Sequence, residues 1–384
     1  MIESKIFERI CGECIFIGFA FIFYFLISHT NNYKKIKKYL FFYVIILTTL
    51  SYLFKPFCTI DLTNQQQHIL MYYNYTWNQV FELMFQTTDY ARFIYFYIIN
   101  RLGDVNLLQT FVTTAVYSII FYTIYDYGKR NNYSGKCMGR TLFLFMMCGQ
   151  YIDLISGIRS TTAYALLYFA FYRELIQQKS IFANFIFYFL AIGFHISVVP
   201  VILVRLLFIV FQKEKNVWKK MFNFTLFGMI AFVSFRYGGF ILEAVSAKAN
   251  NYLSKTVYST INGYIISGAT FIILIYIYFY LKKKLGKEVK KNIILYNYMR
   301  FCKPFFLIII LFSFEYSIFH RYIILLSMIC IPLFITSFEY LSKENLNKNF
   351  MIISKNNTVY YILLLIMSFF SFVTGDMKLL QFFN

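Results

Sequence analysis

Nothing in the 384-residue sequence has the makings of a water-soluble domain. It holds no Gly-rich loop to cradle a nucleotide phosphate and no Cys/His cluster at metal-ligand spacing, which argues against nucleotide-dependent and zinc-dependent chemistry. No leader with a basic start and a small-residue cleavage site opens the chain, so the first apolar helix is expected to remain as an anchor. No internal repeat is visible, which counts against a transporter built from duplicated halves. The seven cysteines (Cys11, Cys14, Cys58, Cys137, Cys148, Cys302, Cys330) are odd in number, and most fall in apolar runs or a basic inner segment, so no disulfide is expected. Cys11 and Cys14 have redox-like spacing but lack βαβ surroundings, which leaves a structural or incidental role.

What the chain does have is apolar length. Hydrophobic residues make up 59% and aromatics 22% of the sequence, more than a fold of this size hides from water. A membrane helix needs roughly 20 mostly apolar residues, and lipid admits only helices or closed barrels. The apolar runs here are continuous rather than alternating, so they read as helices. Twelve crossings are expected, near 12–29, 39–54, 107–126, 141–156, 160–176, 181–198, 199–212, 221–235, 264–281, 304–319, 322–338 and 357–374. The fold class is therefore an all-α integral membrane protein, one polytopic domain over residues 1–384.

The net charge of +20 is distributed along the chain in alternate breaks. Segments 30–38, 127–140, 173–180, 213–220, 282–291 and 339–356 hold 23 of the 37 Lys and Arg, and by the positive-inside rule they face the cytoplasm. Both termini are then expected outside, and the charge reads as membrane orientation, with no nucleic-acid partner. The parity requires 91–103 to stay on the outer surface or dip in and return. Its length of about a dozen residues suits a partial or interfacial helix. Two outer segments, 55–106 and 236–263, are long enough to do more than connect helices, and helices capping an outward-facing cavity are expected there.

Charged groups near lipid depth are costly, so each is a functional candidate. Arg159, in the run Gly157-Ile158-Arg159-Ser160-Thr161, is expected at a tight outer turn. Its planar guanidinium can grip a phosphate, with Ser160 and Thr161 at a helix N-terminus that favours anions; the plain alternative is an arginine snorkelling to head groups. Arg321 follows His320 and is expected at the outer end of a later helix pair, with Glu315 a turn and a half earlier as its own candidate partner. Two arginines on one face suit a diphosphate. His195, just before Pro200, is a packing residue or a group that transfers a proton or binds phosphate. Asp61 opens the long outer loop as a solvated acid or an acceptor of a sugar-hydroxyl proton. Asp153 is a candidate ion partner orienting Arg159, and Glu82, Asp89 and Arg92 are further charges of the same face. The 49 Phe, 35 Tyr and 2 Trp first suggest the interfacial aromatic belt of a membrane protein. Tyr72, Tyr73, Tyr75 and Trp77 also offer ring faces of the kind that stack on sugars.

Asp61 with its following tyrosines, Asp89-Tyr90-Ala91-Arg92 through Gly103, Gly157-Ile158-Arg159 through Ala163, Phe194-His195-Ile196-Ser197 through Pro200, and Arg321-Tyr322 occur in one order. That order resembles the EpsG-like and Wzy-type bacterial polysaccharide polymerases over roughly residues 40–340. Two departures stand out: those proteins usually carry Glu-Pro-Gly before an aromatic where this chain has Asp89 to Arg92, and Gln where it has Ser160. The resemblance implies glycosyl transfer at the outer face of the bacterial inner membrane, polymerising undecaprenyl-diphosphate-linked oligosaccharide units into capsule, exopolysaccharide or O-antigen. On that expectation Arg159 and Arg321 neutralise the departing diphosphate while His195 or Asp61 handles the acceptor hydroxyl. No cofactor or metal is implied. The expected partners are the lipid-linked units and the bilayer, with a chain-length regulator and a flippase as further candidates. A lipid-linked oligosaccharide flippase and another polyprenyl-phosphate glycosyltransferase remain as alternatives, an acyltransferase less so because His195 has no acyl-transfer constellation around it.

Overall fold

The computed structural model describes residues 2–56, 61–87, 89–149, 151–210, 221, 225, 261–286, 292–313 and 315–346. Among them every regular element is helical. The expected crossing 357–374, nearly all of 221–235 and residues 236–260 of the segment 236–263 expected outside fall outside the described residues.

Helices α1 (Ile2–Ser28) and α2 (Tyr33–Leu53) are joined by a turn that Asn32 caps, its Oδ1 accepting the Lys34 and Lys35 amides at 2.9 and 3.4 Å. The segment 55–106, expected outside, then holds three short helices, α3 (Asp61–Met71), α4 (Trp77–Gln86) and α5 (Tyr90–Leu102). Thr76 and Gln79 form a capping box at the start of α4. With 13 residues, α5 is shorter than the roughly 20 residues a crossing helix needs.

The bundle continues with α6 (Leu107–Arg130), α7 (Gly135–Cys148), α8 (Tyr151–Ser156), α9 (Ile158–Leu175), α10 (Phe185–Phe194) and α11 (Val199–Val210). After the undescribed stretch come α12 (Ile261–Leu285), α13 (Ile293–Leu311), α14 (Tyr316–Ile329) and α15 (Ile331–Leu346). Helix α7 is the axis of the fold: every residue but Lys136 is buried, against α1, α6, α14 and α15. Gly135 permits the closest of these approaches, since a Cβ there would lie 1.9 Å from the Thr30 carbonyl oxygen. Helix α6 packs on α2 and α9, and α9 on α10 and α14.

Among the described residues, four helical segments are long and apolar enough to cross a membrane alone: Tyr33–Leu53, Leu107–Arg130, Tyr264–Lys284 and Ile293–Leu311. Helices α14 and α15, bent by 53°, pass together as a fifth. Ile15–Ser28, Phe182–Phe194 and Ile196–Ile209 are shorter apolar pieces. The protein is thus an all-helical membrane protein in which several of the expected uniform crossings are broken. The run 141–156 divides at Gly149 into α7 and α8. The runs 181–198 and 199–212 meet at an extended His195. The break expected at 320–321 lies instead around Phe312–Glu315, so His320 and Arg321 sit inside α14.

Contacts between loops sort the molecule into two ends. At one, Gly135 donates its amide to Asn31 Oδ1 (3.1 Å), Tyr33 donates its hydroxyl to the Tyr133 carbonyl (3.0 Å), and Cys137 Sγ lies 3.2 Å from Glu339 Oε2. The basic segments 30–38 and 127–140 therefore meet each other and Glu339, the first residue of the basic segment 339–356, whose residues 347–356 lie outside the described ones. The opposite end gathers Asp89, Asp153, Arg159, His195 and His320.

Candidate functional site

Helix α9 starts at Gly157, whose amide donates to the Asp153 carbonyl at 3.0 Å and whose carbonyl accepts the Thr161 amide at 2.8 Å. This tight junction of α8 and α9 puts Arg159 in the first turn of α9. Its Nη1 lies 3.4 Å from Asp89 Oδ2, and Arg92 Nη1 lies 3.7 Å from the same oxygen. Two guanidiniums thus share one carboxylate, which leaves a local charge of about +1 on elementary Coulomb grounds. Both separations exceed the ~2.7–2.9 Å of a tight charge-assisted bond, and the Arg159 side chain keeps 28% of its surface exposed. Arg92 lies over the rings of Phe93 (4.5 Å) and Phe96 (5.9 Å). Burial first, and the neighbouring Arg159 charge second, pull its pKa below the ordinary arginine value.

Asp89 is placed by its neighbour. The Tyr90 hydroxyl donates to the Phe189 carbonyl and its ring lies against Gly193, where a Cβ would come within 2.3 Å of the ring. Only glycine admits that close approach, which docks α5 on α10 and brings Asp89 to Arg159. The hydroxyls beside Arg159 turn inward: Ser160 Oγ donates to the Gly157 carbonyl at 3.2 Å, and Thr161 is buried.

His195 ends α10 with extended backbone, and its Nδ1 accepts the Ser197 amide at 3.1 Å. An imidazole nitrogen that accepts an N–H carries no hydrogen, so the ring hydrogen is assigned to Nε2. Ser197 is clamped from two helices: its Oγ lies 3.0 Å from the Tyr164 hydroxyl of α9, and its carbonyl accepts the Tyr322 hydroxyl of α14 at 3.2 Å. The helices bearing Arg159 and Arg321 are tied together at the His195 turn.

Asp153 does not pair with Arg159 as its spacing suggested. Its Oδ2 is 3.1 Å from His320 Nε2, because α14 presents the imidazole to α8 while Asp89 occupies Arg159. His320 Nδ1 lies 3.0 Å from Ser267 Oγ of α12. Glu315 is no partner of Arg321 either: it caps α14, accepting the Ser317 and Ile318 amides at 3.2 and 2.6 Å. Arg321 is partly exposed on the same helix. Asp61 stands apart at the exposed start of α3, accepting from Gln65 Nε2 at 3.3 Å, and no described hydrogen bond or ion pair joins it to the arginines or to His195. Glu82 is exposed on α4. Sequence reading missed Tyr164, Tyr322 and Ser267 in these roles; a tyrosine or serine in an apolar run carries no signal that separates it from packing.

A sequence model of the EpsG family matches residues 68–383. All the site residues described above except Asp61 lie within that range. No curated protein and no solved structure matches the chain.

Proposed function

The chain belongs to the EpsG family, and from that membership we propose that this membrane protein joins undecaprenyl-diphosphate-linked oligosaccharide units into a polysaccharide by glycosyl transfer. The observation that carries the reading is the pair of guanidiniums, Arg159 and Arg92, sharing the single carboxylate of Asp89 at 3.4 and 3.7 Å. Loose pairs with surplus positive charge hold a phosphate site in shape while it waits for a ligand, and an arriving diphosphate supplies the charge that Asp89 alone does not.

In this reading Arg159 takes the planar two-pronged contact to the leaving diphosphate, Arg92 adds charge from behind, and Arg321 approaches from α14. His195, with its hydrogen on Nε2, acts as a donor to a phosphoryl or sugar oxygen. As the anomeric C–O bond breaks, negative charge grows on the bridging oxygen, and donors already aimed there stabilise it without reorganising. The outer face of the inner membrane is the expected side, since the site lies at the end opposite the basic segments.

The test is the size distribution of surface and lipid-linked glycans in a strain lacking this protein, rescued by wild type, Arg159→Ala or Arg159→Lys at matched membrane levels. Long chains with wild type, single units with Arg159→Ala, and no better than partial rescue with Arg159→Lys are expected, because lysine keeps the charge but loses the fork. Single units trapped on the inner face would indicate a flippase, incomplete units a glycosyltransferase of unit assembly, and unchanged glycans no role in polymer formation.

A further inference from the structure

A glycosyl transfer needs a group that accepts the proton of the attacking hydroxyl, and the charged residues nearest the arginines are poorly suited to that task. His195 has no free lone pair on Nδ1, which accepts the Ser197 amide, and it carries its hydrogen on Nε2. Asp89 is committed to two guanidiniums. Asp61 has no described contact with the cluster. Asp153 differs from all three. Its side chain keeps 34% of its surface exposed, only Oδ2 is engaged among the described residues, and its own backbone oxygen holds the Gly157 amide at 3.0 Å, at the turn that launches Arg159.

On the polymerase reading above, we infer that Asp153 is the catalytic residue that takes the acceptor proton, and that His320 and Ser267 are positioning residues for it. The three side chains form a continuous line across α8, α14 and α12: Asp153 Oδ2 to His320 Nε2 at 3.1 Å, His320 Nδ1 to Ser267 Oγ at 3.0 Å. Ser267 is buried. In the neutral ring its hydroxyl donates to Nδ1, which places the ring hydrogen on Nε2 facing Asp153. The Tyr316 ring stacks on the imidazole, centroids 5.6 Å apart, and fixes its plane. One carboxylate oxygen is thereby held, the other has no partner among the described residues, and the side chain's 34% exposure leaves it accessible to a sugar hydroxyl.

The chemistry balances without a further reactant. The acceptor oxygen forms a bond to the anomeric carbon of the growing chain, and the bond from that carbon to the diphosphate oxygen breaks with its electron pair staying on phosphate. The hydroxyl proton passes to Asp153 and from there to water. The products are the elongated chain and free lipid diphosphate.

The experiment uses the full-length protein in proteoliposomes with purified lipid-linked repeat units, and measures kcat and KM for elongation by wild type, Asp153→Asn, His320→Gln, His320→Phe and Arg159→Ala. Loss of a general base is expected to lower kcat roughly 100-fold or more in Asp153→Asn with little change in KM. His320→Gln, whose amide can donate near the Nε2 position, should keep much of the activity that His320→Phe loses. Wild-type kcat in Asp153→Asn, while Arg159→Ala is inactive, overturns the assignment of the base and leaves the polymerase reading standing. If wild type itself builds no polymer, the polymerase reading has failed instead. Should Asp153→Asn not reach the membrane, the two His320 variants decide: equal kcat in both contradicts the positioning role and with it the inference.

Discussion

At the scale of single residues, the site rests on where hydrogens and charges are committed. His195 shows this best, because two roles predict different behaviour for one substitution. Asparagine can accept the Ser197 amide through its side-chain oxygen but places no donor where Nε2 stands. If His195 donates to substrate, His195→Asn should reach the membrane at normal levels and lose polymer formation. If the imidazole serves only to hold the turn, the variant should make long chains, and glycan sizing reads the difference. Arg159 and His195 were legible in the sequence because a charged or titratable group in an apolar run is conspicuous. Their partners were not. Asp89 was visible as an acid but not as the partner of Arg159, since the pairing spans a fold contact between α5 and α9 that depends on Gly193 admitting Tyr90. Ser267 and Tyr164 were invisible among ordinary side chains of apolar helices, and Tyr322, though beside Arg321 in a motif, gave no sign of its hydrogen bond to Ser197.

At the scale of elements, hydrophobicity located the helices and missed their breaks. The run 141–156 is mostly apolar, yet it divides at Gly149, and that division makes Asp153 part of a separate short helix. The junction before α14 was hidden because its cap is Glu315 rather than one of the Ser, Thr, Asp or Asn residues that mark helix starts. A second polar cluster binds three elements away from the site. Arg205 of α11 donates from Nε to Glu174 Oε2 of α9 at 3.0 Å, and Tyr188 of α10 donates to Glu174 Oε1 at 2.6 Å. Both charged side chains are largely buried. Removing one partner strands the other charge at a cost of about 3–5 kcal/mol, whereas replacing both by apolar residues is often neutral. Arg205→Met alone should therefore lower thermal stability in detergent strongly, and Glu174→Leu with Arg205→Met should recover most of the loss. A double variant as unstable as the single one would mean that the pair specifies the packing of α9, α10 and α11 and is more than a tolerated burial.

At the scale of the whole molecule, charge placement in the sequence and contacts in the fold agree on two ends. The basic segments 30–38 and 127–140 meet each other and Glu339 through Asn31, Tyr33, Tyr133 and Cys137, and the arginine cluster lies at the other end. This agreement fixes the ends relative to each other; which end faces the cytoplasm is then a question for electrostatics across the membrane. With lysines and arginines retained inside, the end bearing Lys129 should face the cytoplasm and the end bearing Tyr73 should face outward. Single cysteines at these two exposed positions separate the cases, because the described native cysteines Cys137, Cys148, Cys302 and Cys330 are buried. In intact cells a membrane-impermeant maleimide should label Tyr73→Cys above the wild-type background, and Lys129→Cys only after permeabilisation. The inverse pattern would put Arg159, His195 and Asp153 on the cytoplasmic side. A polymerase reading would then require lipid-linked units to be joined before they are translocated.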